Sequence, residues 1–268
     1  RDENGCFAVS RQEIFAAATS VYAPSYEEFP CLRMKDHTPK AISCSTALSA
    51  MDFTGFYFPF TGEANVNVDS PACLLPSTIA HELAHQRGVA WEQECNFLGV
   101  LASVTSGMPD YIYSGWLLGF IHLGNALYET DPEAYWAIRG TLPAAVEADL
   151  RDNSAYWDQF RDNVVEKVSD TVYDTALKSY GDANGMKSYS MVVELLIAAA
   201  FMVLYVVFGG AKGAGMVGVL KLTLLYIAMI GCGIIVLTLT GGVGGFVDMV
   251  KGIDNPDGIH FFSLVARG

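Results

Sequence analysis

The sequence predicts a mainly α-helical domain with a small β part, an α+β fold, followed by two transmembrane helices. Three observations carry this prediction. Beyond Pro76 almost every segment has helical apolar spacing, interrupted at glycines. Before it, the stretch "FTGFYFPFTGEANVNVD" alternates in polarity and is rich in aromatics. Near the C-terminus, two apolar runs reach membrane length.

Taken in order, residues 12–21 form a helical patch, and strand-like stretches broken at Pro30, Pro39 and Pro59 follow. Short strands are expected at 55–60 and 64–68. Helices are expected at 77–87, 91–105, 114–129, 132–149 and 154–180, with stops at Gly88, Gly107 and "GDANG" (181–185). The run 191–208 carries Glu194 as its only charge, and 222–240 carries none. Since about 17–25 apolar residues cross the hydrocarbon core, the two read as a membrane hairpin. The organisation is therefore a domain over 1–190 and a membrane region over 191–268. Lys212 and Lys221 flank the link between the runs, so the positive-inside tendency puts that link in the cytoplasm and the domain outside it.

Charge excludes some functions. The 268 residues carry 29 acids against 16 bases, a net charge of -13. Beyond Met191 four acids balance four bases, so the excess lies wholly in 1–190. Such a domain repels phosphate backbones and anionic head groups, which argues against nucleic-acid partners and electrostatic docking on lipid. The six cysteines contain no C-x-x-C pair, which excludes a zinc ribbon and a thioredoxin motif.

Chemistry concentrates in "STIAHELAHQRGVAWEQECN", residues 77–96. Histidines four apart share a helix face about 6 Å apart along the axis, so His81 and His85 can close on one ion. This is H-E-x-x-H, with Glu82 beside the metal rather than on it. The chemistry implied is hydrolysis by zinc-activated water, with Glu82 as general base. Catalytic zinc usually takes three protein ligands. "HELAHQRGVAW" follows the metzincin spacing as far as Gly88, but Trp91 stands where the third histidine belongs. Glu92 or Glu94 from the next helix must supply the ligand, a gluzincin arrangement. They lie about 200° apart on a helix, so one alone can face the ion. Glu92 shares its face with Cys95, Asn96, Gly99 and Ser103, which are small or polar, and Glu94 shares its face with Phe97, Leu98 and Leu101. Glu92 is expected to bind, with Glu94 as the alternative. Asn96 is placed to accept a hydrogen bond from a ligating histidine.

"GFYFPFTGEANVN", "HELAHQRGVAWEQECNFLG", "YSGW" and "DTALKSYGDANGMKSYSMVVELL" together resemble an uncharacterised family of bacterial membrane proteins regarded as zinc-dependent peptidases, over roughly residues 7–196. The resemblance implies a zincin-like metallopeptidase domain, Zn2+ as cofactor, a peptide or protein substrate and a place in the bacterial cell membrane. Family members carry membrane helices ahead of this domain, so a chain opening at Arg1 reads as a fragment. The tail "YVVFGGAKGAGMVGVLKLTLLYIAMIGCGIIVLTLTGG" and the final "FFSLVARG" resemble part of a sodium/solute symporter. Two helices cannot build the inverted repeat of such a transporter, so no transport is assigned.

Several residues carry secondary expectations. Tyr111, Tyr113 and Tyr189 are candidate oxyanion donors, and Tyr189 is preferred for its place in the family-like "SYS". The "EANVN" strand reads either as the edge to which an extended substrate adds, bordered by Glu63, Asn65 and Asn67, or as a hairpin with polar turn caps. His37, His122 and His260 lack ligand spacing and read as structural. Glu194 is a functional candidate as an acid inside an apolar run. The expected function is a membrane-tethered zinc peptidase acting through His81, His85, Glu92, Glu82 and Tyr189. The alternatives are a non-catalytic zinc sensor or binding module, in which Cys95 could close the ligand set, and a fusion carrying part of a transporter.

Overall fold

In a computed structural model, which describes residues 1–161, 164–179, 181 and 184–251, the chain is mainly helical. Two compact units divide it, Arg1–Ala199 and Ala200–Gly268.

The first unit opens with α1 (Arg11–Ala17), capped by Ser10 and Glu13 in a reciprocal capping box, and a 3-10 turn at Ala18–Ser20 ends the expected 12–21 helix early. Strand β1 (Lys40–Ala41), helix α2 (Ser45–Ser49), β2 (Gly55–Phe58) and β3 (Glu63–Val66) follow. Then come α3 (Leu75–Gln86), α4 (Glu92–Thr105), α5 (Pro109–Thr130), α6 (Pro132–Arg139), α7 (Ala144–Asp158) and α8 (Val164–Ser179). A single helix over 132–149 was the sequence expectation. Pro143 breaks it, because proline lacks an N–H and disfavours helical backbone in Leu142; α7 restarts beyond it and runs on to Asp158.

The sheet order is β1-β3-β2, with β1 parallel and β2 antiparallel to β3. This overturns the edge-strand reading of "EANVN": β3 is central, paired on both sides. Glu63 pairs with Lys40, and Asn67 is fully buried, donating to Ser49 Oγ at 2.8 Å and to the Phe53 carbonyl at 3.0 Å. The strand that runs past the site is β2.

Helix α3 lies at the centre of the core. Ile79, Ala80, Leu83 and Ala84 are buried among Ala64 and Val66 of β3, Cys95 and Ala102 of α4, and Ile14, Val21 and Tyr22 of the N-terminal segment. A buried ion pair locks its C-terminus. The Arg87 guanidinium stacks 3.6 Å over the Tyr22 ring, pairs with Asp36 and donates to the Leu32 carbonyl at 3.1 Å.

The second unit contains most of α9 (Val192–Leu239), together with α10 (Val243–Lys251). Two segments, Lys187–Val207 and Lys221–Leu239, are long and apolar enough to span a membrane. Large apolar side chains along them, including Phe201, Val207, Leu225 and Ile230, are exposed, as contact with lipid requires. The expected hairpin is not seen, since one unbroken helix of 48 residues runs from Val192 within the first segment to Leu239 at the end of the second. At 1.5 Å per residue such a helix is about 72 Å long, more than twice an about 30 Å hydrocarbon core. Both segments can therefore occupy one bilayer only if α9 bends between them, where Gly209, Gly210, Gly213 and Gly215 weaken it. His260 and "FFSLVARG" lie outside the described residues, as do residues 182 and 183 of the expected "GDANG" stop.

Candidate metal centre

Helix α3 ends in a way that fixes one of its histidines. Gly88 has φ +85, a left-handed conformation that glycine adopts without strain. Its N–H donates to the His85 carbonyl at 2.9 Å and the Val89 N–H to the Ala84 carbonyl at 3.3 Å, the paired bonds of a Schellman motif. That turn brings the Val89 carbonyl to 2.9 Å from His85 Nδ1. A carbonyl only accepts, so Nδ1 carries the proton and a neutral ring presents its lone pair at Nε2.

Helix α4 brings Glu92 to these rings. Gly99 permits the approach: a Cβ there would lie 3.2 Å from the His81 nitrogen and 3.3 Å from its Cα. Glu92 Oε2 lies 3.2 Å from His81 Nε2 and 3.5 Å from His85 Nε2, buried and with no aligned hydrogen bond. One ligand atom from each of the three residues lies within 4.8 Å of the others. Zinc ligands at about 2.0–2.2 Å in a tetrahedron are about 3.3–3.6 Å apart, so the two contacts of Oε2 have the spacing that a shared ion imposes. Two imidazole nitrogens and one carboxylate oxygen are a donor set suited to zinc. Burial pushes the Glu92 carboxyl up, but the neighbouring His81 and His85 more than offset it and hold Glu92 below the usual carboxylate range. Glu94, the alternative, is exposed in the first turn of α4 and lies outside the cluster.

Glu82 is 3% exposed, and its Oε2 has no hydrogen-bond partner. Desolvation by burial pushes its carboxyl up to about 7, with His81 and His85 pulling against it and Glu92 adding to it. Gly55 at the start of β2 makes room for this carboxylate, since a Cβ there would fall 2.6 Å from Oε1 and 2.9 Å from the Asn65 carbonyl.

Gly55, His81 and Glu82 line a cavity of about 640 Å³, whose wall also includes Asn96, His122, Tyr173 and Tyr189. Three of them depart from sequence expectation. Asn96 reaches the Tyr189 carbonyl at 3.4 Å instead of a ligating histidine. Tyr189 lines the cavity, but its hydroxyl donates to Tyr173 Oη at 3.2 Å, which commits the proton an oxyanion donor needs. His122, expected to be merely structural, has a buried Nε2 with no partner; burial, with His81 nearby, lowers its pKa to about 4, so the ring is neutral. Tyr111 and Tyr113 are engaged elsewhere, with the Ile14 carbonyl and with Asp149. Cys95 Sγ lies 3.3 Å from His85 Nδ1, behind the ring rather than among the ligand atoms. Glu194 is exposed in the first turn of α9, and His37 is exposed with its backbone N–H on Gln86.

Sequence reasoning missed Tyr173, whose hydroxyl donates to Glu92 Oε1 at 3.0 Å. It is one of thirteen tyrosines, and no spacing links it to Glu92, 81 residues earlier. Gly55 was missed for the same reason. The only available signal was that both sit in or beside the stretches that carry the family resemblance.

Fold and site together define a mainly helical domain with a His–His–Glu cluster able to hold a metal ion, continued by membrane-length apolar helix. The chain belongs to the family described as protein of unknown function, DUF3810, which it matches over residues 1–197. No curated protein and no solved structure matches it.

Proposed function

We propose that this chain is a membrane-anchored, zinc-dependent peptidase with a zincin-like domain, acting on peptides or proteins outside the cytoplasm of a bacterial cell. One observation carries the reading: His81, His85 and Glu92 converge within 4.8 Å beside the buried Glu82 carboxylate, whose Oε2 has no hydrogen-bond partner. A structural zinc site closed by cysteine is disfavoured, because Cys95 stands behind His85.

The ligands would be His81 Nε2, His85 Nε2 and Glu92 Oε2. Zinc bound there would polarise a peptide carbonyl and lower the pKa of water to about 7. The remaining work falls to the chain itself. The Val89 carbonyl keeps His85 in one tautomer, and Gly55 leaves space for the Glu82 carboxylate. With its carboxyl poised near neutrality, Glu82 takes a proton from the attacking water and returns it to the departing amine. His122, neutral and with its Nε2 unpartnered in the cavity wall, is free to donate to the developing oxyanion, whereas the Tyr189 proton is committed to Tyr173. Lys212 and Lys221, at the link between the apolar segments, support an extracytoplasmic domain through the positive-inside tendency.

The reading is tested by incubating the full chain in detergent with a mixed peptide library. Cleavage that a chelator abolishes and zinc restores is expected. Cleavage indifferent to chelator, or none from the zinc-loaded chain, overturns it.

A further inference from the structure

The two oxygens of Glu92 have different surroundings. Oε2 faces the histidines, and Oε1 accepts from the Tyr173 hydroxyl at 3.0 Å. An ionised carboxylate only accepts, so Tyr173 must give it the single phenol proton, which leaves the Tyr173 oxygen as an acceptor. Tyr189 fills that role at 3.2 Å. The protons therefore run in one direction, from Tyr189 to Tyr173 to Glu92. The two tyrosines come from separate elements, α8 and the 3-10 turn Gly185–Tyr189. Phe53 packs edge-on against the Tyr173 ring at 5.1 Å, and Asn96, one turn beyond Glu92, holds the Tyr189 carbonyl. Immediately after that turn the chain enters α9, whose first residue, Val192, is fully buried in the first unit.

We propose that Tyr173 is a positioning residue for the third metal ligand, keeping Glu92 on the histidines through one oxygen. Tyr189 orients Tyr173, so that the segment opening the membrane-length helix helps to set metal affinity. The proposal rests on the reading of His81, His85 and Glu92 as a zinc site. Without the tyrosine hydroxyl, Oε1 is released and the carboxylate can rotate, which loosens the ligand and changes how many oxygens it offers. Partners of this kind typically contribute about 10–100-fold in metal affinity.

The test uses the full chain in detergent as wild type, Tyr173→Phe, Tyr189→Phe and the double variant. Zinc dissociation constants are measured by competition with a chromophoric chelator, and cobalt-loaded samples give visible absorption, whose intensity falls as coordination number rises. Tyr173→Phe should weaken zinc about 10–100-fold and lower the cobalt absorption. Tyr189→Phe should act less strongly, and the double variant should be no worse than Tyr173→Phe, because Tyr189 acts through Tyr173. Unchanged affinity and spectrum in Tyr173→Phe overturn the proposal, as do effects that multiply in the double variant. If wild type binds zinc and the variants match it, the brace alone fails. A wild type that binds neither metal removes the zinc reading and the brace with it.

Discussion

At the scale of single residues, the site depends on what is absent at Gly55. A methyl group there would collide with Glu82 Oε1 and with the Asn65 carbonyl, and the backbone carbonyl cannot yield as a side chain does. Gly55→Ala should therefore move Glu82, the proposed general base, while leaving the proposed ligands His81, His85 and Glu92 in place. A displacement near 1 Å can cost about 100-fold in rate, so hydrolysis should fall by about that factor while zinc content stays stoichiometric. A parallel loss of zinc would show that Gly55 shapes the ligands instead. Glu92 and Glu94 give a second residue-level test. Glu92→Ala should purify without stoichiometric zinc and Glu94→Ala with it; the reverse would exchange their roles. His81, Glu82 and His85 were legible in the sequence because one helix turn sets their geometry. Glu92 was legible because the small residues of its face allow two helices to approach. Tyr173, His122 and Gly55 were not, since tertiary folding alone brings them to the cavity.

At the scale of elements, the end of α3 does two jobs. The Schellman turn stops the helix, and the same turn aims the Val89 carbonyl at His85. Gly88→Ala forces a side chain into left-handed backbone, at roughly 1–2 kcal/mol. It should lower the thermal midpoint and also weaken zinc binding, whereas a purely structural glycine would affect the midpoint alone. Arg87, one residue earlier, holds a buried pair with Asp36. Removing one partner of such a pair costs about 3–5 kcal/mol, so Asp36→Ala should destabilise the fold by about that amount in denaturant titration. A change under about 1 kcal/mol would show the pair to be dispensable. The stop at Gly88 was readable because glycine has a specific role there. The place of β3 was not. Alternating residues mark a strand but do not say whether it lies at an edge, and the two-residue β1 that covers it has no sequence signature.

At the scale of the whole molecule, an acidic domain is joined to apolar helix of membrane length. Two segments long enough to cross a bilayer were legible in the sequence because length and lack of charge suffice to mark them. Their arrangement was not, since a glycine-rich link is compatible with both a bend and a helix. The chain should remain with membranes through carbonate washing and be released by detergent; release by carbonate alone would contradict a spanning role. The central claim is that His81, His85 and Glu92 hold a metal which Glu82 serves as base, and it is tested most directly by Glu82→Gln. This exchange removes the proton acceptor but no ligand. Zinc content and peptide hydrolysis should be measured together on the full chain. Zinc equal to wild type with hydrolysis lost is the expected result. Full metal-dependent hydrolysis in the variant would contradict it.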